Sequence, residues 1–239
     1  MKVAITFIGT NRYLDYLPKY YENIEKYFLP NTEKVILAFT DGELNDTPDN
    51  LKVYHQEHLE WPFITLKRFE IINKAREVID ECDWLVFLDA DAIPVTTITE
   101  EEFFTDKPLF GVHHPCHYLG MDPHTKAPGA YEQNPKCEAY VDVSKSLPPV
   151  YWQGCLWGGK VPQVCAMIDE LEARVNRDLE NDIVAVWHDE TQINRYFLER
   201  TQDVHTFDSS YAFPEVFESH CNFSPKIVHL AKDNSKYHQ

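Results

Sequence analysis

The sequence has no Cys-x-x-Cys pair. Its six cysteines, Cys82, Cys116, Cys137, Cys155, Cys165 and Cys221, are scattered along the chain. That spacing argues against a disulfide framework or a zinc site and fits free thiols in a reducing compartment. Positive charge is also scarce, with 22 Lys and Arg against 39 Asp and Glu and a formal net charge of -17. So acidic a chain excludes general binding of nucleic acid or of an anionic membrane, and an anionic substrate would need a local cation. The first apolar run, Val3 to Ile8, is too short for a signal peptide or a transmembrane helix. A soluble, cytoplasmic protein without stable membrane insertion is expected. No internal repeat, low-complexity tract or linker interrupts the 239 residues, of which 44% are hydrophobic. One α/β domain over residues 1–239 follows, with 226–239 as a basic tail.

What the chain does have is Trp84-Leu85-Val86-Phe87-Leu88-Asp89-Ala90-Asp91, five apolar residues ending in two carboxylates two positions apart. A short apolar run bounded by charge reads as a strand buried on both faces, as in a parallel sheet under helices. Ligands collect at the carboxyl ends of such strands. If the backbone stays extended, Asp89 and Asp91 point the same way and repel unless a cation lies between them. The pair is therefore a candidate site for Mg2+ or Mn2+, the alternative being a polar turn after a buried strand.

Around it, Val3–Ile8, Lys34–Thr40, Leu51–Tyr54 and Leu109–Val112 read as further strands. Tyr13–Leu29, Thr65–Ile79 and Val161–Val175 carry apolar residues at helical spacing. Pro18 marks a helix start or a kink. Tyr151 to Gly159 mixes strand formers with glycines, which suggests a close backbone approach to a ligand or a neighbouring strand. Ile183–Trp187 reads as a strand, and Asp189 with Gln192 as a capping box for a helix to Leu198. The segment from His113 to Pro149 is long and polar, and loops of that length are usually functional. The strand-helix order is α/β with nucleotide-binding character.

Phe87-Leu88-Asp89-Ala90-Asp91, His114-Pro115, Tyr131-Glu132, Ala139-Tyr140-Val141, Gly158-Gly159 and the block from Ala185 to Tyr196 occur in that order. With this ordered set the chain resembles glycosyltransferase family 6, the family of the histo-blood group A and B transferases and the α-1,3-galactosyltransferases. The resemblance implies a GT-A (nucleotide-diphospho-sugar transferase) fold, with a mixed, mostly parallel central sheet flanked by helices. It implies a UDP-sugar donor bound with Mn2+ (Mg2+ as the alternative). It also implies retaining transfer of a galactose-type sugar to the 3-hydroxyl of a galactoside or other glycan acceptor. The vertebrate members carry a membrane anchor and stem, so a soluble bacterial or viral member is expected here.

Residue by residue, the resemblance makes Asp89 and Asp91 metal ligands and Glu190 the catalytic carboxylate, either a nucleophile or a stabiliser of an oxocarbenium ion. Asp189 would lie by the donor sugar, although an N-cap carboxylate would stand there regardless. Arg68 would reach the donor sugar and the first aspartate. Phe7, Ile8 and Tyr13 would hold the uridine, the first two being equally good core residues, and Ala90 would line the same donor site. His114 and Trp187 would contact the acceptor, with Trp61 nearby. Glu215, or Pro214 beside it, falls where the family has an acidic acceptor contact. Lys232 and Lys236 would close over the diphosphate and exclude water.

Two departures stand out. Gln153-Gly154-Cys155 occupies the segment that selects the donor, and the bulk of Cys155 favours galactose over N-acetylgalactosamine without excluding glucose. Cys116-His117 replaces the family's glycine-aromatic pair, which alters the acceptor pocket. A catalytically weak carbohydrate- or UDP-sugar-binding protein of the same fold is the competing expectation.

Overall fold

The structure is a computed structural model that describes residues 1–115, 131–144, 148–216 and 223–232. Its centre is a seven-stranded sheet in the order β3-β2-β1-β4-β7-β6-β8. The strands are β1 (Lys2–Ile8), β2 (Glu33–Thr40), β3 (Leu51–His55), β4 (Trp84–Leu88), β6 (Leu109–His113), β7 (Trp152–Lys160) and β8 (Val204–Phe207). Every neighbouring pair is parallel except those made by β7, which runs against both β4 and β6. The sheet is mixed and mostly parallel, as the family resemblance implied.

Why β4 is buried on both faces follows from its alternation. Trp84, Val86 and Leu88 join one cluster with Phe28, Phe103 and Phe110. Leu85 and Phe87 join the opposite cluster with Phe69, Trp157 and Ile168. Helix α1 (Leu17–Tyr27), started with a proline in its first turn, covers the first face. The other is covered by the short helices α2 (Phe63–Leu66), α3 (Arg68–Asn73) and α4 (Arg76–Ile79) and by α6 (Val161–Glu180) and α7 (His188–Leu198). Helix α5 (Glu100–Phe103) is a single turn capped by Thr99.

A second sheet of three short strands, β5-β10-β9, joins Ala92–Pro94, Ile227–His229 and Phe213–Pro214. It pairs His229 with Ala92, and the Leu230 N–H donates to the Asp91 carbonyl at 2.9 Å. The carboxyl-terminal segment is thereby stitched beside the paired aspartates.

Three expectations are corrected. The helix over 65–79 is broken into three pieces at Lys67 and Ala75, whose ψ angles of 12° and 17° leave the helical region. Hydrogen bonds such as Ala75 N to the Ile72 carbonyl tighten the joins into three-residue turns. Residues 183–187 form no strand. Val186 N–H donates to the Glu132 carboxylate and Trp187 N–H to the Thr191 hydroxyl, so side chains, not a neighbouring strand, satisfy this backbone. Nor does the capping box form: Trp187 is the N-cap of α7, Asp189 lies within its first turn, and Gln192 donates to Asp178 instead.

Gly158 faces β4 so closely that an added Cβ would collide with the Leu85 carbonyl oxygen, which is backbone and cannot give way. Gly158→Ala is expected to destabilise the fold by at least about 2 kcal/mol, read as a lower urea midpoint at unchanged m-value.

Candidate active site

The chain order places β2 on one side of β1 and β4 on the other. At such a switch point a crevice opens outside the carboxyl ends of the two strands. Here it is lined by Ile8, Thr10 and Tyr13 after β1 and by Asp89, Ala90 and Asp91 after β4. His58, Trp61, Arg68 and Lys232 complete the wall.

Asp91 is buried and Asp89 partly exposed. Ligand atoms of Asp89, Asp91 and His229 lie within 4.8 Å of one another. Two carboxylates and an imidazole so placed fit a divalent cation of the Mg2+ or Mn2+ type, since hard oxygen donors predominate. The His229 Nε2 is buried with no hydrogen-bond partner among the described residues. Lys232 forms an ion pair with Asp91, and its Nζ also donates to the Tyr13 hydroxyl at 2.9 Å. Burial opposes the charge on Asp91, but His229 and Lys232 outweigh it and hold its pKa below the ordinary value.

Next to this pair the crevice continues along Arg68, Asp89, Gln153, Gly154, Cys155, Trp187, Asp189 and Glu190. The reversed direction of β7 makes this possible, because its first residues meet the carboxyl end of β4, with Asp89 N–H donating to the Cys155 carbonyl at 2.9 Å. The register against β6 jumps from Gly111↔Trp157 to Val112↔Gln153, and the bulge over 154–156 carries Gly154 and Cys155 along the crevice. Gly154 lies close to α7 there: a Cβ on it would stand 3.0 Å from the Glu190 Cβ, a contact that would push the two apart by a few tenths of an ångström.

Arg68 bridges the two halves. Its Nη1 lies 2.9 Å from Asp189 and 3.4 Å from Asp89, and donates to the Gly154 carbonyl at 3.0 Å. The guanidinium stacks 4.4 Å above the Phe87 ring. Burial, against the opposing pull of the Arg68 guanidinium, raises the Asp189 carboxyl to about 7. Glu190 is raised by burial too, opposed by two hydrogen bonds: Gly154 N–H to Oε2 and Tyr151 O–H to Oε1, each 2.8 Å. His188, at φ 53° in the left-handed region, turns the chain into α7 so that Asp189 and Glu190 face β7.

With this geometry in view, the sequence profile described as Glycosyltransferase family 6 matches residues 1–226. The chain belongs to glycosyltransferase family 6. It is 26% identical to the O-antigen biosynthesis glycosyltransferase WbnI of Escherichia coli, over all of this chain and 98% of that protein. It is 26% identical to histo-blood group ABO system transferase 2 of Rattus norvegicus, over 82% of this chain and 59% of that protein. It is 25% identical to globoside alpha-1,3-N-acetylgalactosaminyltransferase 1 of Homo sapiens, over 83% of this chain and 57% of that protein. The chain thus spans somewhat more than half of these two mammalian relatives. As a family 6 member it is a glycosyltransferase. No helix among the described residues is long and apolar enough to cross a membrane.

Of the residues expected at a family 6 site, the fold brings together Ile8, Tyr13, Arg68, Asp89, Ala90, Asp91, Gln153, Gly154, Cys155, Trp187, Asp189, Glu190 and Lys232. The Phe7 ring takes its other option and packs in the core against Tyr20. His114 stands at the end of β6, its ring 5.8 Å from that of Tyr151. Glu215 is exposed, and its carboxylate accepts the Ala231 N–H at 2.7 Å, fastening the segment that carries Lys232. Lys236, Cys116 and His117 lie outside the described residues. Sequence reasoning missed His229 and the hydrogen bond from Tyr151, and neither has a local signal.

Removing Arg68 leaves Asp189 buried without its cation, so Arg68→Ala should cost about 3–5 kcal/mol of stability. A carboxyl whose folded pKa exceeds its unfolded value binds its proton more tightly when folded, so stability falls as pH rises between the two. The loss in Arg68→Ala is therefore expected to be larger at pH 8 than at pH 5.5, as read by denaturant titration at both values.

Proposed function

We propose that this family 6 member is a metal-dependent retaining hexosyltransferase, moving a sugar from a UDP-sugar to a hydroxyl of a galactoside glycan in α-1,3 linkage. The observation that carries the reading is the meeting, across Arg68, of a paired-aspartate strand end with a carboxylate held by two hydrogen bonds.

The uridine would lie along Ile8, Tyr13 and Ala90, and the diphosphate between Asp89, Asp91 and Lys232. Mn2+, or Mg2+ in its place, would be held by Asp89 and Asp91 with His229 beside them, and when bound supplies positive charge to the leaving diphosphate. Arg68 and Asp189 would orient the sugar. Glu190 would face the anomeric carbon opposite the leaving group, as nucleophile or as stabiliser of an oxocarbenium ion. Trp187, 38% exposed at the crevice, offers an aromatic face to the acceptor, and His114 stands on the same side.

Donor choice falls to Gln153 and Cys155. Cys155 is buried in the bulge, and its sulfur takes space that an N-acetyl group would require. Galactose is favoured on that ground over the N-acetylgalactosamine in the human relative's name, with glucose next. The hydrogen-bonded Glu190 supports transfer over a role in binding alone.

The test is UDP release from UDP-galactose, UDP-N-acetylgalactosamine and UDP-glucose, with and without Mn2+. Release is expected fastest from UDP-galactose and lost in EDTA. Glu190→Gln should lower kcat by about 10²–10³, the usual loss when a group stabilising developing charge is removed. Activity indifferent to EDTA would sink the metal reading, and full activity in Glu190→Gln the catalytic one.

A further inference from the structure

Tyr151, the residue just before β7, is 2% exposed. Its hydroxyl donates to Glu190 Oε1 at 2.8 Å across 39 residues of chain. The phenol packs against two neighbouring rings, Tyr131 and His114. Tyr131 packs against it edge-on with ring centroids 5.2 Å apart, and the Tyr131 hydroxyl is itself fixed on the Val150 carbonyl at 2.9 Å. On the next residue, Trp152, the N–H donates to Asn194 Oδ1 at 2.9 Å and the carbonyl accepts from Asn194 Nδ2 at 2.7 Å. The same Nδ2 donates to the Glu190 carbonyl at 2.9 Å. Asn194 is fully buried, so the backbones carrying the phenol and the carboxylate are locked to one another.

The charged and titratable groups facing Glu190 come from four elements. Tyr151 lies just before β7 and the Cys155 thiol at its start, with the Gly154 N–H beside them; Asp89 follows β4; Arg68 begins α3; Asp189 and His188 share α7. Asp89 and burial disfavour the Glu190 charge, while Gly154, Tyr151 and Arg68 favour it. Among these, Tyr151 is a neutral donor aimed at one oxygen only. Burial and the Glu190 charge drive its own pKa far up, so the phenol keeps its proton and remains a donor.

We propose that Tyr151 is a positioning residue for sugar transfer, its phenol fixing Oε1 and keeping Glu190 ionised to meet the positive charge that develops at the anomeric carbon. This rests on the reading of Glu190 as the catalytic carboxylate. A donor to a carboxylate stabilises the charged form, so its loss raises the carboxyl pKa and its strengthening lowers it.

The experiment is the pH profile of kcat/KM for UDP release, which reports groups of the free enzyme. It is run on the wild type, Tyr151→Phe, and a protein with fluorotyrosine replacing Tyr151, a stronger donor of nearly the same shape. In Tyr151→Phe the acid limb should move up by about one pH unit, the scale of one charge-assisted hydrogen bond. Its deficit, approaching about tenfold at pH values well below both limbs, should shrink as the pH rises. Fluorotyrosine should move the limb the other way, which keeps the test open should Tyr151→Phe not fold. UDP affinity by calorimetry should be unchanged in both. An acid limb unmoved by either replacement, or a deficit constant across pH, would overturn the proposal. A Glu190→Gln protein as active as wild type would instead overturn the reading beneath it.

Discussion

Four carboxylates, Asp89, Asp91, Asp189 and Glu190, gather at the carboxyl edge of the sheet in a chain of net charge -17. Like charges about 5 Å apart repel by roughly 3 kcal/mol at an effective dielectric near 20, so the cluster persists only with compensation. Compensation comes in two forms. Cations enter from distant segments, Arg68 between Asp89 and Asp189 and Lys232 on Asp91. Neutral donors at the start of β7, the hydroxyl of Tyr151 just before the strand and the Gly154 N–H within it, take Glu190. The crevice is thus an assembly of carboxylates that two cations and two neutral donors offset only in part, so a divalent cation is the charge that an anionic donor would bring with it.

The architecture serves that balance. Reversing β7 brings a bulged, glycine-containing strand start against the end of β4, so Gly154 gives its carbonyl to Arg68 and its N–H to Glu190. The small sheet does the equivalent for Asp91, threading β10 beside Ala92 so that His229 and Lys232 face the aspartates. Glu215 then fastens the same segment through the Ala231 N–H.

Much of this was legible in the residues. Val3–Ile8, Lys34–Thr40 and Trp84–Leu88 are apolar runs because both faces of their strands are buried, and the Asp89–Asp91 pair was visible at the end of one of them. Local pattern failed where long-range partners decide. Ile183 to Trp187 looks like a strand by composition, yet Val184 and Val186 are 44% and 43% exposed and their segment has no neighbouring strand. The helix over 65–79 kept its apolar spacing but broke where Arg68 begins a new turn facing the crevice. Strands of two or three residues carry no periodicity, so the small sheet could not be read. Lys232 meets Asp91 across 141 residues and Tyr151 meets Glu190 across 39, and no local pattern encodes either contact. The family resemblance supplied Lys232; nothing supplied Tyr151.

The claim on which the functional reading turns is that Asp89 and Asp91 hold a divalent cation together with a nucleoside diphosphate. Titration of Mn2+ followed by the paramagnetic resonance signal of the free ion, with and without UDP, tests it most directly. Wild-type protein should remove Mn2+ from solution more strongly when UDP is present, because the diphosphate adds ligands to the ion and an anion for Lys232. Asp89→Asn and Asp91→Asn should abolish that gain. Mn2+ uptake that ignores UDP, or that survives loss of both aspartates, would contradict the account.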